Sequence, residues 1–229
     1  MFFYDPTFVM VLPAFAFALW AQWKVKSTYR RFSQVRATAG ISGRDMARSI
    51  MVRNGVTDVA VEEIPGTLGD HYDPRAKTVR LSAAIYEGDS ISSIAVAAHE
   101  VGHVLQHAQG YAPLALRTAI APAAGLGSSA GYILFFIGFI FHRSAGTFLM
   151  DLGIWFFLAA VLFQLVTLPV EFDASKRALA QLTASGSVAP EEVSGAKKVL
   201  DAAALTYVAA AATAALELLR LLLLRNSRR

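Results

Sequence analysis

The chain has 229 residues, of which 55% are hydrophobic and only 17% charged, with a formal net charge of +4 and no cysteine. A soluble domain usually carries about a quarter charged residues, so the apolar excess here must be buried in protein or in lipid. The absence of cysteine excludes a disulfide framework and any Cys-ligated zinc site. Most Lys and Arg residues sit beside apolar stretches, which reads as membrane-flanking charge and not as a nucleic-acid surface.

Residues 1–23 read as an N-terminal transmembrane helix, since 7–23 is free of charge and about 20 residues cover a bilayer core. Asp5 stands where a cleaved signal peptide would carry basic residues, and Trp20 and Trp23 suit an interfacial belt. Lys24, Lys26, Arg30, Arg31 and Arg36 follow at once, which places this flank in the cytoplasm. Residues 24–118 then read as a cytoplasmic α+β domain. A Ser-x-x-Asp start at Ser42 predicts an amphipathic helix over 42–54, stopped by Gly55. Stretches 59–64 and 77–81 alternate like strands across a turn-rich interval, and Asp89 or Ser90 caps a helix over 91–109, closed by Gly110 and Pro113.

Segments 119–141 and 147–170 are of membrane length. The short polar link from His142 to Gly146 makes 119–170 an antiparallel transmembrane hairpin, with Asp151 expected at its interface. Residues 171–198 form a cytoplasmic helical segment. The final part, 199–229, is Ala- and Leu-rich but contains Glu217 and Arg220, so it either spans the membrane or lies on its surface. Spanning would put Arg225, Arg228 and Arg229 outside; a surface helix would keep them in the cytoplasm.

The chemistry resides in Ala97-Ala98-His99-Glu100-Val101-Gly102-His103, an H-E-x-x-H pattern. Histidines at i and i+4 project from one face of a helix and can bind a single ion. Glu100 points beside that ion, where it can act as general base and then return a proton to the leaving amine. Neutral imidazoles and hydrolytic chemistry favour Zn2+. Two histidines leave such a site one protein ligand short. His107, two helical turns or roughly 12 Å beyond His99, cannot reach the same ion and is expected to support the site or face substrate, an ordinary surface histidine being the alternative. Glu171 follows the second span of the hairpin, and an even number of crossings from His103 puts both on one membrane face. An unremarkable N-terminal helix carboxylate after Pro169 is its alternative reading.

Taken with Asp70-His71-Tyr72-Asp73-Pro74, Val79-Arg80-Leu81-Ser82 and Leu168-Pro169-Val170-Glu171-Phe172-Asp173-Ala174-Ser175, the metal motif resembles the YugP-like family of membrane zinc metallopeptidases over nearly the whole chain. That family is similar to the HtpX and CAAX-prenyl-protease type of gluzincin, in which a glutamate on a later helix completes the H-E-x-x-H site. The resemblance implies Glu171 as third ligand. It departs where the wider group places an aspartate one turn after that glutamate: here the position is Ser175. Asp173 lies roughly 200° around a helix from Glu171 and would need a non-helical start or a different role, while Ser175 is the candidate to orient a ligand instead.

Segment 70–82 is expected to offer an edge strand to an extended peptide, with His71 placed to hydrogen-bond the developing oxyanion and a plain turn residue as the alternative. Arg177 is a second candidate for that role, or else a membrane-flanking cation. The expected whole is a mainly α membrane protein of three or four transmembrane helices with a small cytoplasmic α+β zincin-like domain. It would be a multi-pass protein of the cell membrane acting as a zinc-dependent endopeptidase, with peptide or membrane-protein substrates, lipid contact, no nucleic acid, and an oligomeric state the residues do not indicate. A catalytically inactive binding or chaperone protein that keeps the same fold is the competing expectation, disfavoured by the intact Glu100.

Overall fold

The structure is a computed structural model that describes residues 6–38, 40–141, 144–186 and 188–227. Asp5, His142, Arg143, Arg228 and Arg229, which enter the expectations above, lie outside the described residues. In chain order the elements are α1 (Leu12–Ser33, preceded by a 3-10 turn Pro6–Met10), α2 (Gly43–Arg53), β1 (Ala60–Ile64), β2 (His71–Asp73), β3 (Thr78–Ser82), α3 (Ala83–Tyr86), α4 (Ile91–Ala108), α5 (Ala112–Ile140), α6 (Ser144–Ala184) and α7 (Pro190–Asn226). The chain divides into two compact units: residues 1–21, 115–168 and 206–229, and residues 22–114 and 169–205.

Four helices are long and apolar enough to cross a membrane: Thr7–Ser33, Ala112–Ile140, Ala145–Ala184 and Pro190–Asn226. The helices outrun the apolar runs that mark them. Helix α1 continues ten residues past Trp23 through a basic stretch, because nothing between Lys24 and Ser33 breaks it. The larger feature is at Pro169, after which a helix start was the alternative reading of Glu171: α6 runs unbroken from Ser144 to Ala184. A proline removes one backbone donor. Flanks fixed by packing hold the helix through it, with Val170, Ala174, Ala178 and Leu182 all fully covered. Glu171 is therefore interior to a long helix and not an N-terminal helix carboxylate.

In the first unit, Phe135, Met150, Phe157, Val161 and Leu221 bring α5, α6 and α7 into one apolar cluster. Helices α5 and α6 approach through glycines: a Cβ at Gly131 would stand 2.9 Å from the Gly153 carbonyl oxygen. Small residues at such a crossing let backbones pack where lipid offers no hydrophobic drive. The charges of α7 are paired there, Arg220 with Glu217 at 2.7 Å, and Arg225 with both oxygens of Asp151 at 2.8 Å.

The second unit is α+β. Its three-stranded sheet has the order β1-β3-β2, with β3 parallel to β1 (Val61 opposite Val79) and antiparallel to β2 (His71 opposite Arg80). The strand at 78–82 is thus central, and only β1 and β2 are edges, so the 70–82 segment presents an edge through the three residues of β2 alone. Helix α2 is capped by Ser42, whose side chain accepts from the Asp45 backbone NH at 3.1 Å. Met46, Ile50, Leu81, Ile85, Ile94, Val101, Leu182 and Leu200 close the core around α4.

Candidate metal centre

Helix α4 begins at Ser90, whose hydroxyl accepts from the Ser93 backbone NH at 3.1 Å, and ends where Gly110 takes a φ of 63°. Alanine and glycine line much of it, and Ala95, Ala97, Ala98 and Gly102 are all buried. Small side chains let other elements approach the backbone of α4 closely. Helix α6 does so at Gly102, where an added Cβ would fall 2.4 Å from the Ala174 carbonyl oxygen. Glu171 stands one turn before Ala174, and His99 and His103 flank Gly102, so the contact puts the carboxylate on the two rings.

One oxygen of Glu171 serves both histidines. His99 Nε2 lies 3.2 Å from Oε2 and His103 Nε2 lies 3.5 Å from the same atom. The imidazoles meet nearly edge to face, with centroids 4.9 Å apart at 82°. One ligand atom from each of His99, His103 and Glu171 lies within 4.8 Å of the other two, and no other such group of three occurs among the described residues. Ligands at tetrahedral zinc, bound at about 2.0–2.1 Å, stand roughly 3.3 Å from one another. The two histidine–carboxylate separations lie close to that spacing, and a two-imidazole, one-carboxylate donor set is one that zinc favours.

Both outer ring nitrogens are held. Ser175 Oγ lies 3.2 Å from His99 Nδ1, and Gln106 Oε1 lies 3.0 Å from His103 Nδ1. Gln106 was given no role by sequence reasoning. Its position three residues after His103, on the same helical face, was the available signal. Fully buried, it donates through Nε2 to the Val170 carbonyl at 2.7 Å and to Asp173 Oδ2 at 2.9 Å. The amide orientation follows from those two acceptors, so its oxygen faces His103, which must donate from Nδ1; this leaves Nε2 to donate to Glu171 when the ring is protonated and to offer its lone pair to an ion when it is not. Burial pushes the His103 pKa down, but the Glu171 hydrogen bond and the charges of Glu100 and Glu171 outweigh it, leaving the value raised. For Glu171, past the apolar run of α6, burial opposes ionisation. Hydrogen bonds from His103 and His99 override it and hold the carboxylate far below its usual range.

Asp173 has the different role that a continuous helix requires: it accepts from Gln106 and from Arg177 Nε at 2.5 Å. Arg177 also donates to Gln109 and lies 5.6 Å from the Tyr111 ring centroid, so its guanidinium is engaged within this network. Glu100 is buried at 7% exposure and close enough for its charge to act on His103. His107 is not brought to the cluster. Its Nδ1 meets the Tyr72 hydroxyl at 2.8 Å, beside a cleft of about 250 Å³ lined by Val56, Val59 and Val104. His71 sits exposed at the start of β2, bonded to the Gly69 carbonyl oxygen at 2.8 Å and 3.4 Å from Arg80.

Comparison with known proteins agrees with the metal motif. Residues 7–226 match the family described as "Putative neutral zinc metallopeptidase". The chain is 47% identical over 215 residues to the "Putative membrane protease YugP" of Bacillus subtilis (strain 168), covering 94% of each. No solved structure matches it.

Proposed function

This chain belongs to the neutral zinc metallopeptidase family, and on that premise we propose that it is a membrane-embedded zinc endopeptidase of gluzincin type. His99, His103 and Glu171 would hold the ion. The observation that carries this reading is the convergence of both Nε2 atoms on one Glu171 oxygen while both Nδ1 atoms are tied from behind. When bound, zinc supplies a Lewis acid for the peptide carbonyl and makes water acidic enough to be deprotonated near neutral pH.

The remaining work falls to the chain's own groups. Glu100, on the metal-motif helix beside His103, takes the proton from water at its carboxylate and delivers it to the departing amine. Gln106 and Ser175 fix the ring orientations from Nδ1, which would leave both Nε2 atoms to hold the ion. The Asp173–Arg177 pair anchors Gln106 in turn. Basic residues after the first apolar run support a cytoplasmic placement of the second unit, and an apolar, membrane-held enzyme suits membrane-associated or unfolded polypeptide substrates.

Metal content of the purified protein tests the ligand set. One equivalent of zinc is expected in the parent chain, and less than a tenth of that in Glu171→Ala. Stoichiometric zinc in that variant would remove Glu171 from the site.

A further inference from the structure

Residues 24–33 of α1 and 195–205 of α7 face one another in the second unit. They close at Gly195, where an added Cβ would meet the Phe32 ring at 3.0 Å. Beside this contact the helices bound a groove of about 310 Å³ lined by Lys24, Thr28, Arg31 and Phe32 from α1 and by Lys198, Asp201, Ala202 and Leu205 from α7. The spacings explain the lining. Residues 24, 28, 31 and 32 share one face of a helix, as do 198, 201, 202 and 205.

The charge of this groove is unbalanced. Asp201, its one acid, is paired at 2.6 Å with Lys197, which does not line it. Lys24, Arg31 and Lys198 make no ion pair among the described residues, and Arg31 lies 5.5 Å from the Phe32 ring centroid. Three cations and a hydroxyl thus line a space whose remaining wall is Phe32, Ala202, Leu205 and the Lys197-paired Asp201. The location is equally specific. Lys24 follows the apolar run of α1 directly, just after Trp20 and Trp23, which are 45% and 63% exposed; Ala202 and Leu205 open the apolar run of α7. Exposed tryptophans at the end of an apolar helix mark headgroup depth.

We propose that this groove is a binding site for the phosphate of an anionic membrane phospholipid. Lys24, Arg31, Lys198 and the Thr28 hydroxyl donate to the phosphate oxygens, and Phe32, Ala202 and Leu205 cover the glycerol and first methylenes. Each cation at a membrane surface contributes about fivefold in affinity for anionic lipid.

The test uses the full-length chain in neutral detergent, with phosphatidylglycerol and phosphatidylcholine binding read by native mass spectrometry. The parent should prefer phosphatidylglycerol by at least an order of magnitude. Lys24→Gln/Arg31→Gln/Lys198→Gln should abolish that preference, while the charge-matched Lys26→Gln/Arg30→Gln/Arg48→Gln, outside the groove, keeps it. Should the first triple variant fail to fold, each single groove substitution should lower the preference several-fold, with Lys198→Arg restoring it. Equal loss in the two triple variants would reduce the effect to general surface charge and overturn the site. Complete displacement of lipid by millimolar inorganic phosphate would assign the groove to free phosphate and overturn its assignment to lipid.

Discussion

The backbone of Ala174 lies against Gly102 so closely that a Cβ on the glycine would stand 2.4 Å from the alanine carbonyl oxygen and 3.1 Å from its Cα. Backbone atoms cannot swing aside as a side chain can. Gly102→Ala must therefore move α6 away from α4, and with it Glu171 away from both histidines. Overpacking of this kind typically costs about 1–3 kcal/mol. The expected outcome is a folded but less stable protein whose zinc affinity, measured by chelator competition, falls at least tenfold. Unchanged affinity would mean that Glu171 does not depend on this contact.

Glu100→Gln keeps both imidazoles and the shape of the side chain while removing the proton acceptor. Zinc content and thermal midpoint should match the parent, and proteolysis should fall by at least about 100-fold. His99→Ala and His103→Ala should instead lose both metal and activity, because one imidazole with one carboxylate is a poor zinc site. Activity near that of the parent in Glu100→Gln would sink the general-base assignment, and stoichiometric zinc in either alanine variant would mean that the ligands are misassigned.

Gln106 touches no ligand atom of the cluster, yet it dictates which nitrogen of His103 carries the proton. Gln106→Met preserves volume and removes the acceptor. Zinc affinity should fall about 10–100-fold, and activity should recover in excess zinc, which distinguishes lost orientation from a collapsed site. A variant that holds zinc as tightly as the parent would show that Ser175 and packing suffice.

Asp73 accepts from the Ala76 backbone NH, from Arg80 and from the Arg75 backbone NH, and these bonds hold its carboxyl below the usual range. A depressed native value contributes stability that is present above the unfolded pKa, near 3.9, and disappears as pH falls through the native one. Thermal midpoints of the full chain in detergent should therefore decline below about pH 4, and Asp73→Asn should flatten part of that decline. Identical profiles for parent and variant would remove Asp73 from the pH response.

The pairing of Asp151 with Arg225 and the seat of Leu221 against Phe135 tie α7 to α5 and α6, which favours the spanning alternative for the last helix. The proposed orientation, with the basic flank after α1 in the cytoplasm, predicts that single cysteines at Ser144 and Asn226 react with a membrane-impermeant thiol reagent in intact cells, while one at Asn54 does not. The chain has no cysteine of its own to confuse the result. Labelling at Asn54 without Ser144 would invert the orientation. Labelling at Ser144 without Asn226 would lay α7 on the surface.

The sequence by itself determined the metal-binding motif and the apolar segments. An i, i+4 histidine pair shares a face on any helix, and long uncharged runs have few homes besides lipid, so His99, Glu100, His103 and the apolar segments could be read without a fold. Glu171 was reachable from the order of segments and from resemblance. Its place inside a helix that runs through Pro169 was not, because local signals mark proline as a boundary and only packing on Val170 and Ala174 overrides it. The tertiary structure alone decided which small residue lets α6 reach the ligands, that Gln106 orients His103, that Asp173 serves Gln106 and Arg177, and that His107 turns to Tyr72. Each of these depends on two segments distant in the chain meeting at a particular register, and no local pattern encodes the register of a contact.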